Sequence, residues 1–101
     1  MEYFGPTRPG DRPKLTASFR RLLPSGVTLT DVDVAIAVKA GYPADASAAS
    51  RLDGAVAITS PYAQQFLLPS PLTRYIVAFT GTFSDGQIET AEGEIEVLAD
   101  I

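Results

Sequence analysis

Carboxylates are the side chains of this 101-residue sequence that stand close enough together to hold a cation or share a proton. Asp31-Val32-Asp33 is a D-x-D pair of the kind that joins loop carbonyls around calcium. It lies, however, in a run where Val32, Val34, Ile36 and Val38 fall at period two, and no third carboxylate is near it in sequence. That pattern favours the solvated side of a strand over a cation loop. Glu89, Glu92, Glu94 and Glu96 could supply the two carboxylates that flank a glycosidase cleft. Alternation instead sets Glu92, Glu94 and Glu96 on one exposed sheet face, where like charges confer solubility and discourage edge pairing. The glycines of Phe79-Thr80-Gly81-Thr82-Phe83-Ser84-Asp85-Gly86 belong to hairpin chemistry, because no helix follows of the kind a phosphate-binding loop precedes.

The missing residue types narrow the chemistry further. The chain has no His, Cys, Trp or Asn. Histidine is the commonest general base and cysteine the usual thiolate nucleophile, so neither a Ser-His-Asp triad nor a Cys/His zinc cage can be assembled. A disulfide framework is excluded for the same reason. The expectation is a protein without catalytic residues, cofactor or metal, acting through its surfaces.

Those surfaces carry a lopsided charge. Residues 1–30 hold Arg8, Arg12, Lys14, Arg20 and Arg21 against Glu2 and Asp11, a net of +3. Residues 75–101 hold six acids and no base. Such asymmetry steers and orients protein partners. Nucleic-acid binding would need Tyr3 or Phe4 to stack bases beside those five bases, too sparse a set against an overall charge of −4. No apolar run approaches the roughly 20 residues of a membrane-spanning helix. The start, with Glu2 and no apolar stretch after it, predicts no cleaved secretion signal.

These surfaces must be positioned by strands. Pro6, Pro9 and Pro13 with Gly5 and Gly10 forbid helix and interrupt a sheet ladder, so residues 1–13 read as an extended arm. Tyr3 and Phe4 would be wasted in solvent, so the arm packs on its own domain or on a neighbour. Leu15, Ala17 and Phe19 alternate with polar residues as a half-buried strand. Val32 to Val38 reads as a core strand, with a β-branched residue at every inward position. Residues 40–53 are small and polar, a loop with room for a helical turn around 45–51. Val56 and Ile58 mark the next strand, and Gln64 to Leu68 another before Pro69 and Pro71. Tyr75 to Phe83, the turn Ser84-Asp85-Gly86 and the return from Gln87 to Leu98 form a long hairpin. Ile88 has the opposite parity to Ile95 and Val97, which predicts a bulge near Ala91 to Gly93. Six or seven short strands with Pro/Gly turns describe an all-β, immunoglobulin-like antiparallel β-sandwich over 14–101, preceded by the extended arm of 1–13.

The order of these features resembles a family of small immunoglobulin-like structural proteins of tailed bacteriophages, the fibre-tail adaptors and head or neck decorations. Three segments carry the resemblance. They are Phe4-Gly5-Pro6-Thr7-Arg8-Pro9-Gly10-Asp11 with the strand Leu15 to Phe19, then Val32 to Val38, then Arg74 to Phe83 with its Ser84-Asp85-Gly86 turn. The resemblance implies a virion protein, assembled in the bacterial host cytoplasm, that binds capsid, neck, tail or fibre proteins and copies of itself. It implies no nucleic acid, membrane or small-molecule substrate. The partner-binding residues expected are Tyr3, Phe4, Arg8, Arg12, Arg20, Arg21, Glu92, Glu94 and Glu96. A different reading is an immunoglobulin-like module of a bacterial surface or carbohydrate-binding protein, which would need Tyr42, Tyr62 and Phe66 as an exposed sugar platform.

Overall fold

The computed structural model describes residues 2–99 and contains seven strands and one short 3₁₀ turn. In chain order they are β1 (Glu2–Thr7), β2 (Lys14–Ser18), β3 (Leu29–Val38), the 3₁₀ turn Ala48–Arg51, β4 (Leu52–Thr59), β5 (Tyr62–Leu67), β6 (Arg74–Phe83) and β7 (Ile88–Val97). Two sheets result, one ordered β1-β7-β6-β3 and the other β2-β5-β4. All pairs are antiparallel except β1 with β7, which run parallel. The chain is an all-β sandwich.

Strict alternation along the strands makes the two layers close on each other. β6 buries Tyr75, Val77, Phe79, Gly81 and Phe83 and turns Arg74, Ile76, Ala78, Thr80 and Thr82 to the other face. Opposite it, Leu15 and Ala17 of β2, Phe19 beyond it, and Ala63 and Leu67 of β5 complete the core with Ile95 and Val97. Phe19 and Phe83 meet edge to face at a centroid distance of 6.1 Å, a geometry that aromatic quadrupoles favour. Burying an aliphatic or aromatic side chain of this size contributes about 1.5–3 kcal/mol, so this cluster supplies the main driving force for folding. β3 is less buried than its sequence predicts. Val32 is covered, but Val34, Ile36 and Val38 are half-buried because β3 is the last strand of its sheet.

Gln65 is the one amide of β5 that points into this core, and it has a structural task. The β4–β5 register is irregular between Asp53 and Ala57, and the two hydrogens of Gln65 Nε2 are shared among the carbonyls of Asp53, Gly54 and Phe66 at 3.0–3.3 Å. The bulge takes the Asp53 and Gly54 carbonyls out of the ladder, and Gln65 gives them a donor. Gly54 sits there at φ +77°, a conformation that a side chain would strain.

The β6–β7 hairpin has the turn the sequence predicts but not the bulge. Its ladder is continuous from Arg74 opposite Glu96 to Thr82 opposite Ile88. Ile88 keeps its own parity and lies 65% exposed on the outer face. Gly93 serves a different purpose: a Cβ there would meet the Phe4 ring, with Cζ at 2.6 Å. The glycine lets β1 lay an aromatic ring directly on β7.

That contact defines where the N-terminal segment goes. Residues 2–7 are an edge strand of the four-stranded sheet, and the half-buried Phe4 ring packs against Phe79 at 6.2 Å. Pro6 is accommodated because β1 is paired on one side only and its register shifts between Tyr3 and Pro6. Beyond it, Leu98 N–H donates to the Thr7 carbonyl and Gly10 N–H to the Pro69 carbonyl, so this segment is tied to the domain as far as residue 10.

Candidate functional site

The long loop after β3 is anchored by a polar network that the sequence did not reveal. Tyr75 is fully buried in β6, and its hydroxyl donates to Asp45 Oδ2 at 2.6 Å. Arg51, in the 3₁₀ turn, places Nε at 2.9 Å from the same oxygen and Nη2 at 3.3 Å from Oδ1. The Ser47 amide donates to Oδ1 as well. The Arg51 hydrogen bond, then that of Tyr75, draws the Asp45 carboxyl down to about 2, while burial and the neighbouring carboxylate push the Tyr75 hydroxyl up to about 12. A second pin holds the loop nearby, where the Thr73 hydroxyl donates to the Pro43 carbonyl at 2.6 Å. Among the described residues no buried side-chain nitrogen or oxygen is left without a partner, and the network fixes the loop. The signal available in sequence was Tyr75 itself: an inward-facing tyrosine needs a partner for its hydroxyl.

The outer face of the four-stranded sheet carries the carboxylates. Glu94 lies between Lys39 and Arg74, each with a nitrogen 2.7 Å from Oε1, and Arg74 also approaches Glu96 at 3.7 Å. The Lys39 hydrogen bond, above all, holds the Glu94 carboxyl below its ordinary range. Arg74 stacks over the Tyr3 ring at 5.1 Å and is raised chiefly by its bond to Glu94. Glu94 and Glu96 therefore join Tyr3 in one half-exposed patch. Glu92 is exposed two residues away with no ion pair among the described residues. Asp31 and Asp33 are exposed on the same face, at the β3 edge. Among the described residues no group of three or more His, Cys, Asp or Glu is arranged to hold a metal ion.

The basic residues do not collect into a second patch. Arg8 pairs with Asp11 at 3.6 Å. Arg12 pairs with Asp53 at 2.5 Å and lies on the Phe66 ring, 3.7 Å from its centroid. Arg20 and Arg21 are exposed and without an ion pair among the described residues. They follow Phe19 at the end where Thr28 and Ser84 are hydrogen bonded, so they share that end with Asp85 and the hairpin turn. The charge split along the sequence is thus partly cancelled in the fold, where Arg8 and Arg12 are paired with Asp11 and Asp53. Of the partner-binding set, Tyr3, Glu94 and Glu96 lie together; Arg20, Arg21 and Glu92 stand free; Arg8 and Arg12 are paired; and Phe4 is engaged by its own core.

A sugar platform of Tyr42, Tyr62 and Phe66 is not assembled. Tyr62 and Phe66 share the outer face of β5 but stand four residues apart, about 13 Å along a strand, and Arg12 covers Phe66. Tyr42 belongs to the loop after β3, where its N–H donates to the Lys39 carbonyl. Neither protein-family models nor curated proteins give a match to the chain.

Proposed function

We propose that this chain is a non-enzymatic structural protein of a tailed-phage virion, an immunoglobulin-like adaptor or decoration subunit docking on capsid, neck or tail proteins. The observation that carries the reading is where the resembling segments meet. Phe4-Gly5-Pro6-Thr7 lies in β1 and Arg74 to Phe83 is β6, and both strands flank β7 in one sheet. The strand order β1-β7-β6-β3 over β2-β5-β4, with β1 parallel to β7, supports the immunoglobulin-like arrangement. Composition supports the absence of catalysis, since His, the commonest general base and zinc ligand, and Cys, the thiolate nucleophile, are both missing.

With Phe4 committed to the core, docking falls to the exposed groups. Arg20 and Arg21 offer a basic pair at the hairpin end with no ion pair among the described residues, and Tyr3 and Arg74 offer the aromatic and arginine types enriched at interfaces, with Glu92 as an exposed charge near them. Symmetric repetition turns such small contacts into an avid attachment. Reversing both arginines, Arg20→Glu with Arg21→Glu, is expected to abolish incorporation into particles and leave the melting curve unchanged. Normal incorporation of a folded variant would contradict the assignment of this docking end.

A further inference from the structure

Each sandwich sheet leaves two outer strands, and three of the four are built to resist pairing. β1 carries Pro6 and a register shift, β4 is bulged at Gly54, and β2 is only five residues long with Lys14 exposed. β3 is different. From Asp31 to Val38 it runs in unbroken register with β6 and contains neither proline nor glycine. β4 and the 3₁₀ turn lie near β3 but neither pairs with it, and natural sheets seldom leave such a strand unpaired.

The polarity of its open edge is fixed by one hydrogen bond. The Lys39 amide donates to the Arg74 carbonyl at 2.8 Å, so the odd-numbered residues direct their backbone groups at β6. Val32, Val34, Ile36 and Val38 then present theirs to the open side. Consistent with this, the Val32 amide has turned to the neighbouring Asp31 Oδ1 at 3.0 Å, and those of Val34, Ile36 and Val38 have no backbone partner outside the sheet. The side chains of these four residues are apolar, and the last three are half-buried. On the other face stand Asp31, Asp33, Ala35, Ala37 and Lys39, acidic at one end, basic at the other, and small in the middle.

We infer that β3 pairs antiparallel with β3 of a second copy of this chain, about a two-fold axis at Ala35. The strand is self-complementary in that register. Asp31 faces Lys39 of the second copy at both ends, and Asp33 faces Ala37. On the inner face Val32 meets Val38 and Val34 meets Ile36. The residues that meet on this inner face are all even-numbered, so the open amides and carbonyls meet as hydrogen-bonded pairs, as antiparallel geometry requires. Opposite charges and β-branched pairs across strands each favour this register, whereas a parallel in-register pairing would set Asp31 on Asp31. Lys39 can serve both carboxylates, because its ammonium has three donors and uses one toward Glu94. The two four-stranded sheets become one of eight strands, and Val34, Ile36 and Val38 lose their remaining exposure. The inference concerns a self-contact and does not depend on the virion reading.

A single cysteine tests it, since the chain has none of its own. At the axis, Ala35→Cys places two thiols directly opposite each other, at a spacing an antiparallel pair allows a disulfide to span. Under mild oxidation this variant is expected to form covalent dimer at least about tenfold faster than Thr16→Cys, an equally exposed site on the other sheet. Sedimentation equilibrium of the unmodified chain is expected to show a monomer–dimer equilibrium, and Ala35→Lys, which sets like charges together at the axis, is expected to be monomeric with an unchanged circular dichroism spectrum. Equal cross-linking rates for the two cysteine variants, or a dimer that survives Ala35→Lys, would overturn the inference.

Discussion

Asp45 is the residue through which the long loop is held, and its removal tests the physical description of the fold most sharply. Its carboxyl sits at about 2 against an ordinary 3.8. Carried through linkage and discounted for screening at this partly open site, that depression contributes about 1–2 kcal/mol at neutral pH. Replacing Asp45 by alanine also strands the buried Tyr75 hydroxyl, which costs roughly a further 1–3 kcal/mol. Asp45→Ala should therefore destabilise by about 2–5 kcal/mol and lower Tm by roughly 10–25 °C. Asp45→Asn keeps an acceptor for Tyr75 and should cost less, about 1–2 kcal/mol. The sign of the pH dependence follows from the depression. The carboxylate's contribution is complete above 3.8 and is lost as pH falls through about 2. Urea titrations of the protein and its Asn variant across that window should show their stabilities converging. A gap that stays constant to the bottom of the window, or an alanine variant within about 0.5 kcal/mol of the parent, would refute the role given to this network.

Three other outcomes are expected. Gly93→Ala should destabilise by about 1–3 kcal/mol through collision with Phe4, and Gly93→Ala combined with Phe4→Ala should cost clearly less than the sum, as a double-mutant cycle by chemical denaturation will measure. Gln65→Leu should cost about 1–3 kcal/mol, because the Asp53 and Gly54 carbonyls lose their shared donor; a neutral result in the same assay would mean that water or a closed bulge replaces it. Deleting residues 1–13 should lower Tm by more than Phe4→Ala alone, since it strips a paired strand as well as a ring, and equal melting temperatures would show that β1 adds nothing to stability.

The strands were legible because one rule, alternation of side chains across a pleated sheet, operates on each residue of β2, β3, β5 and β6. Ile88 shows where that rule misleads. Reading an isoleucine as inward demanded a bulge, whereas the ladder is regular and the side chain is simply exposed. A single apolar side chain on a surface is common and carries no register information. Gly93 was read as the site of a bulge, but its ladder is regular; the glycine is required by the Phe4 ring about 90 residues away, a long-range contact that local pattern does not encode. Pro6 was read as interrupting a ladder, and the β1–β7 register does shift between Tyr3 and Pro6, but an edge strand tolerates the interruption and stays paired on either side of it. The candidate surface was legible as charge alone. Which arginines stay free depended on Asp11 and Asp53 reaching Arg8 and Arg12, and no spacing in the sequence announces the second of these.

The proposed role makes the chain a fixed part of an assembled particle, held there through its surface. Quantitative mass spectrometry of phage particles purified through a density gradient, from a lysate in which the gene is expressed, measures this directly. The claim predicts the chain at a constant copy number per particle, in a ratio to the capsid or tail proteins set by particle symmetry. Particles that lack the chain while it accumulates free in the same lysate would contradict it.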